Sequence, residues 1–361
     1  MFQLPLHALI LKSDMSLVQS PVLFQHQNQD VFLFSLKNRN GIEISISNLG
    51  GIIRSFIVPD RMGRPIDMVL GFDRMEDYVD QSYLQSNSYL GAIIGRYANR
   101  VSRSCFELDG KSYQLSSNLH PHQLHGGYEG FDRKVWNVEG ISDTPNPKLV
   151  LSYLSKDGEE GYPGNLRVYI TFELKESNEL VMYTEGFTDK ATPINLTHHG
   201  YFNLNGYGTI EDHFVEIPAS NYLGQEKDLI PDGKVLFVTN TEYDFRKMKQ
   251  ISKVWDAERG YDQTFVLDKA YGVWGIAATA YSENSGIKLE VFTDEPSVQF
   301  YTGKHLNNTG VKGGAKYSAF SGLCFETQHH TNALNIPDFP STILRPGELY
   351  KRKTSYKISN C

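Results

Sequence analysis

Residues 192–204 gather side chains of a kind that can move protons. Read as an extended strand, they divide between two faces, because strand side chains alternate with a period of two. Asn195, Thr197, His199, Tyr201 and Asn203 share one parity, and Leu196, His198, Gly200, Phe202 and Leu204 share the other. An imidazole flanked by hydrogen-bonding groups, backed by a mostly apolar face, is how a sheet can carry a site. His199 is therefore the candidate for chemistry, since imidazole titrates near neutrality, and His198 the candidate for a structural hydrogen bond.

Four further stretches concentrate polar groups, each with a plainer reading beside it. Gly95, Arg96, Tyr97, Ala98, Asn99 and Arg100 follow an apolar run; a guanidinium fork can hold two ligand oxygens, or serve only structure. His120, His122 and His125 lie within six positions and invite a metal reading, but Pro121, Gly126 and Gly127 make this a loop and no further ligand is in sight, so no metal is expected. Asp262 follows Gly260 and Tyr261, where a turn is the alternative. Cys324, Glu326 and Gln328 share one parity against Leu323 and Phe325, which makes Glu326 either a carboxylate on a half-buried strand or an ordinary exposed one.

The scaffold for these groups reads as all-β. From Val31 onward, short apolar runs alternate with turn residues, the texture of a large antiparallel β-sandwich with very little helix. Leu166, Val168, Ile170, Phe172 and Leu174 alternate with Arg167, Tyr169, Thr171 and Glu173, a half-buried strand that a turn at 176–178 joins to 180–187. A second hairpin is expected between 276–281 and 287–293. Brief helical turns are expected at 73–79 and 225–229. Residues 31–361 read as a single domain, and residues 1–30 as a loosely attached leader of uncertain structure, in which Met15 could be a second start. The leader lacks the basic opening and cleavage pattern of a signal peptide.

A net charge of -7 with mixed signs favours neither nucleic acid nor a membrane surface as partner. Three cysteines, Cys105, Cys324 and Cys361, are too few and too scattered for a disulfide framework, which favours a reducing, cytoplasmic setting. The 21 Tyr and 20 Phe suit strands and also offer faces on which a sugar ring could lie. No phosphate-cradling loop, nucleophile elbow, zinc helix or dinucleotide fingerprint is present. The remaining parts suit proton transfer on a neutral, hydroxyl-rich small molecule.

In order along the chain, these patches resemble the aldose 1-epimerase (galactose mutarotase) family. The resemblance rests on residues 48–51, 95–100, 124–127, 157–164, 195–204, 260–262, 298–303, 326–328 and 344–347, and so covers nearly everything after Val31. It implies the galactose mutarotase-like supersandwich, an open sugar cleft, and catalysis without metal or cofactor. By position it implies His199 as general acid at the ring oxygen and Glu326 as general base at the C1 hydroxyl, with Asn99, Arg100, His125, Asp262 and Gln299 holding the sugar; Tyr201 and Tyr301 match less decisively. Two adjacent departures stand out. His198 occupies a position where the family more usually has Asn, and Gly200 one where Ser is common. A third follows Gln328, where His329 and His330 replace a more usual Pro-Asp. The expected reaction is interconversion of α and β anomers of free aldohexoses such as glucose and galactose. The alternatives are a hexose-6-phosphate 1-epimerase, whose substrate would call for added cations, and a non-catalytic carbohydrate-binding protein on the same fold.

Overall fold

The computed structural model describes residues 16–361 apart from Asn87 and Val254. Three antiparallel sheets dominate it. The largest has nine strands; its centre is the run Lys148–Ser155, Leu166–Lys175, Glu179–Thr188, Tyr350–Asn360, Ile287–Thr293 and Gly275–Tyr281. A five-stranded sheet near the start of the chain comprises Ser16–Gln19, Leu33–Lys37, Glu43–Ser47, Ile53–Pro59 and Pro65–Asp67 in that order. The other five-stranded sheet, in the order Pro231–Phe237, Asn221–Gln225, Asp262–Val266, Ser297–Tyr301 and Cys324–Gln328, carries the cleft described below.

The alternation read from the sequence is what builds these sheets. In Leu166–Lys175, the side chains of Leu166, Val168, Ile170 and Phe172 are buried while their neighbours Arg167, Tyr169 and Thr171 are half-exposed. The strand turns back onto Glu179–Thr188 through Asn178, whose φ of 60° uses the left-handed conformation that Asn tolerates. Gly275–Tyr281 and Ile287–Thr293 pair as the second expected hairpin. One apolar cluster draws on all three sheets, including Phe34, Ile44, Phe172, Leu289, Phe300 and Phe325, and each such side chain contributes about 1.5–3 kcal/mol on burial.

Three expectations need correction. Residues 192–204 are not one strand. Thr192–Pro193 pairs with Ile343–Leu344 and Thr197–His198 with Ile93–Ile94, while Asn195 bridges Tyr97 and Phe202 bridges both Val69 and Leu323. The chain passes from partner to partner, which satisfies its backbone groups in turn and stitches neighbouring segments together. Residues 225–229 are not helical: Gln225 ends a strand, and a turn follows with Leu229 at φ 63°. Residues 73–79 do contain a 3-10 helix, Met75–Val79, and a short α-helix, Gln81–Ser86, comes after it. Of the expected leader, residues 1–15 lie outside the described residues, but Ser16–Gln19 pairs along its length with Leu33–Lys37, so this part is built into a sheet rather than loosely attached. No helix among the described residues is long and apolar enough to cross a membrane.

Candidate active site

Register places the polar groups. Thr264 lies opposite Gln299, which lies opposite Glu326, and in the next row Asp262 lies opposite Tyr301, which lies opposite Cys324. Directly paired residues, and residues two apart on a strand, share a face, so all six project from one side of this sheet. On the other parity, Phe265, Phe300 and Phe325 project from the opposite side into the core, where Phe300 stacks on Phe325.

A second set of groups faces this sheet from the segment around His199. The amide of His199 bonds Ala92 O at 2.8 Å, and Gly91 N bonds His199 O at 3.0 Å, which fixes the backbone beneath the imidazole. His198 turns the opposite way. Its Nε2 lies 2.9 Å from Gly91 O and its Nδ1 3.1 Å from the Tyr356 hydroxyl. Donation from Nε2–H to the carbonyl and acceptance from the phenol satisfy both nitrogens.

The third set comes from two loops joined by the short pairing of Arg100–Val101 with Gln123–Leu124. His125 N donates to Asn99 O at 2.9 Å, and Asn99 N donates to His125 Nδ1 at 3.2 Å. Asn99 and His125 both adopt left-handed backbone, φ 60° and 52°. Gly126 is required beside them, because a Cβ there, at φ +89°, would lie 2.0 Å from Gly95 O.

Together these elements line a small open cleft with room for about 110 Å³ of water-sized molecules. On its walls, His199 Nε2 and Glu326 Oε1 lie 3.6 Å apart, with side chains 4% and 3% exposed. Burial pushes the Glu326 carboxyl well up, helped by the charge of Asp262 and opposed by Arg100, and burial pushes the His199 imidazole down. The two directions agree on a pair that holds a single proton. Cys324 Sγ sits 3.6 Å from His199 Nδ1, and the Tyr201 ring packs 4.9 Å from the His199 ring.

Asp262 accepts a hydrogen bond from Gln299 Nε2 and faces Arg100 Nη2 at 3.6 Å; Arg100 Nη1 also reaches Asn99 Oδ1 at 3.2 Å. Burial, with the neighbouring His199 and Arg100, holds His125 well below the usual imidazole range. Its Nδ1 already accepts the Asn99 amide, so the neutral ring carries its proton on Nε2 and offers a donor. Buried polar atoms of Tyr89, Arg100 and Glu326 (Oη, Nε and Oε2) have no hydrogen-bond partner among the described residues, the condition of a site that expects polar company.

His125, His199 and Glu326 bring ligand-type atoms within 4.8 Å of one another. A metal there would need a lone pair from each. With Nδ1 of His125 committed to a backbone N–H, its other nitrogen is protonated, which leaves two ligands where a catalytic zinc site uses three. The donor set therefore fits hydroxyls better than a cation.

Of the residues singled out from sequence, His199, Glu326, Asn99, Arg100, His125 and Asp262 all line the cleft, as do Tyr201 and Tyr301. Gln299 does not: it is 3% exposed and lies behind Asp262, which it orients while accepting from Thr264 Oγ1. Arg96 is also absent from the cleft. Its guanidinium, 2% exposed, donates to the carbonyls of Ser155, Lys156, Pro163 and Gly164 and to the hydroxyls of Ser155 and Thr192, the structural alternative of its patch. His122 pairs instead with Asp228 at 3.0 Å, and His120 is exposed. Tyr89, Ser88 and His305 line the cleft without having been signalled by any motif.

A polar cleft on three antiparallel sheets of this kind defines the galactose mutarotase-like fold. The structure superposes with a TM-score of 0.84 on an aldose epimerase homologue from C. elegans, at 30% identity over 91% of this chain and 98% of that one. It superposes with the same TM-score on galactose 1-epimerase from Lactobacillus acidophilus, at 27% identity over 96% and 99%. In sequence, residues 33–357 match the aldose 1-epimerase family model. The chain is 42% identical to human galactose mutarotase over 88% of its own length and 91% of that protein's, and 33% identical to the aldose 1-epimerase of Escherichia coli K12 over 90% and 94%. The chain belongs to the aldose 1-epimerase family and is an isomerase.

Proposed function

We propose that this aldose 1-epimerase interconverts the α and β anomers of free aldohexoses, galactose and glucose among them, with His199 as general acid and Glu326 as general base. The observation that carries this reading is the buried His199–Glu326 pair, 3.6 Å apart in a cleft otherwise furnished with hydroxyl-binding groups. Support for the sugar comes from the relatives named galactose mutarotase and galactose 1-epimerase.

In the proposed cycle, the Glu326 carboxylate takes the proton of the C1 hydroxyl while His199 gives one to the ring oxygen. The bond from C1 to the ring oxygen breaks with its electron pair on that oxygen, and C1 becomes an aldehyde carbon. Rotation about C1–C2 turns the other face of the carbonyl toward the new hydroxyl, and the reversed transfers close the ring as the other anomer. The pair begins as carboxylate and imidazolium and ends ring opening as carboxylic acid and imidazole, so its proton count never changes. Burial disfavours the charged form of the pair, so the empty site holds the shared proton on Glu326, and that proton passes to His199 before the ring opens. His125 Nε2–H, Arg100, Asn99 and Asp262 hold hydroxyls of the sugar, and Gln299 holds Asp262.

A hexose 6-phosphate fits less well. It brings about two negative charges, whereas Arg100 is the single Lys or Arg among the described residues that line the cleft, and it already faces Asp262. A binding protein without catalysis would have no use for a buried acid and base beside each other.

The test is polarimetry or NMR on freshly dissolved α-galactose and α-glucose. Wild type should speed equilibration, Glu326→Gln should slow it by at least ~10²-fold, and hexose 6-phosphates should be poor substrates. An unchanged rate in Glu326→Gln removes Glu326 from the mechanism, and no acceleration of any free sugar by wild type favours the binding protein.

A further inference from the structure

We propose that Tyr89 contacts the sugar, its hydroxyl pairing with one hydroxyl of the ring, so that the loop carrying it helps to set which aldoses the cleft accepts. The inference rests on the reading that the cleft holds an aldopyranose.

Tyr89 is 6% exposed and lines the cleft. Its ring packs against both imidazoles of the site, 4.7 Å from His125 at 65° and 5.8 Å from His199 at 29°. Between two such neighbours, Phe would supply the same apolar surface, so packing does not account for the hydroxyl. That hydroxyl is buried with no hydrogen-bond partner among the described residues, an arrangement that costs stability in the empty protein. Burial also holds the phenol above its usual range, so it stays protonated and can donate.

The backbone points the same way. Tyr89 has φ 52°, a conformation that disfavours bulky side chains and is retained where the surroundings impose it, commonly at binding sites. Asn99 and His125, also on the cleft wall, share this left-handed geometry. A strained tyrosine with an idle hydroxyl makes sense if its partner arrives with the ligand. The third buried side chain with an idle atom there, besides Arg100, is Glu326, which the proposed reaction already employs.

The test uses binding rather than turnover: calorimetric titration of wild type and Tyr89→Phe with 1,5-anhydro-D-galactitol and with its monodeoxy derivatives. These compounds lack the anomeric hydroxyl, so binding is read even if the acid and base assignments fail. Tyr89→Phe should raise Kd about 10-fold, the scale of a lost buried hydrogen bond, for every compound except the derivative that lacks the contacted hydroxyl, which both proteins should bind alike. Equal Kd values in the two proteins for all compounds, or the same loss for all of them, would overturn the proposal. Thermal unfolding supplies the control. With its hydroxyl unpaired in the empty cleft, Tyr89→Phe should be as stable as wild type or more so; a clear loss of stability would mean that the hydroxyl serves the fold instead.

Discussion

His198 and His199 are adjacent, equally buried, and differ in what surrounds them. His198 has both ring nitrogens taken by Gly91 O and the Tyr356 hydroxyl, whereas His199 meets Glu326 across the cleft. His199→Asn should therefore cut the mutarotation rate by at least ~10²-fold, while His198→Asn should leave it within a few-fold and lower stability by about 1–3 kcal/mol. The reverse outcome in a polarimetric assay would exchange their roles. The separation of the two was legible in the sequence, because alternation holds locally even where the strand does not. Gln299 was not legible as a residue behind the cleft: it shares the polar face, and only the register with Thr264 and Asp262 shows that its amide is spent on them. Tyr89 escaped notice because it sits in a serine-rich loop without periodicity, where one aromatic residue carries no signal.

Elements explain the paired departures around His199. A Cβ at Gly200 would lie 2.7 Å from His198 Cε1 and 3.1 Å from its Nδ1, so the imidazole at 198 and the missing side chain at 200 belong together. Gly200→Ser should then cost about 1–3 kcal/mol through overpacking, and appreciably less in a His198→Asn background, where the smaller side chain leaves room. A denaturation cycle on the four proteins measures this coupling; additive costs would mean the two positions are independent. The same sensitivity to local packing is why residues 192–204 read as one strand and fold as several. Alternation reports which face a residue takes, but not which partner satisfies its backbone. Long hairpins such as Leu166–Lys175 with Glu179–Thr188 carry both kinds of information, in their pattern and in the turn between them, and were correspondingly plain.

For the whole molecule, buried imidazoles tie stability to acidity. Burial pushes His198 down to about 4 and His330 likewise, against 6.5 in the unfolded chain. Below pH 6.5 the unfolded chain takes up protons that these folded rings refuse, so their contribution to stability is complete above 6.5 and is lost as pH falls toward 4. Glu295 and Asp132, both raised to about 7 by burial, work the other way, since below 7 the folded state holds their protons more readily. A difference between variants isolates one group. The stability advantage of wild type over His198→Asn, from urea unfolding, should shrink by about 2 kcal/mol between pH 7 and pH 5; a constant or growing difference would contradict the buried neutral imidazole. Global architecture was readable from composition and turn spacing. The way the sheets are fastened was not, because fastening depends on contacts between residues far apart in the chain. Arg96 is such a fastening: one guanidinium ties the end of Lys148–Ser155 to the loop at Pro163 and Gly164 and to Thr192, which leads into the His199 segment. Freeing Thr192 would take one acceptor from that buried guanidinium, so loosening the His199 segment carries a cost at Arg96 as well as at the cleft. Amide hydrogens around His199 should therefore exchange with solvent faster in Thr192→Val than in wild type, and the proposed acid would be steadied by a residue outside the cleft.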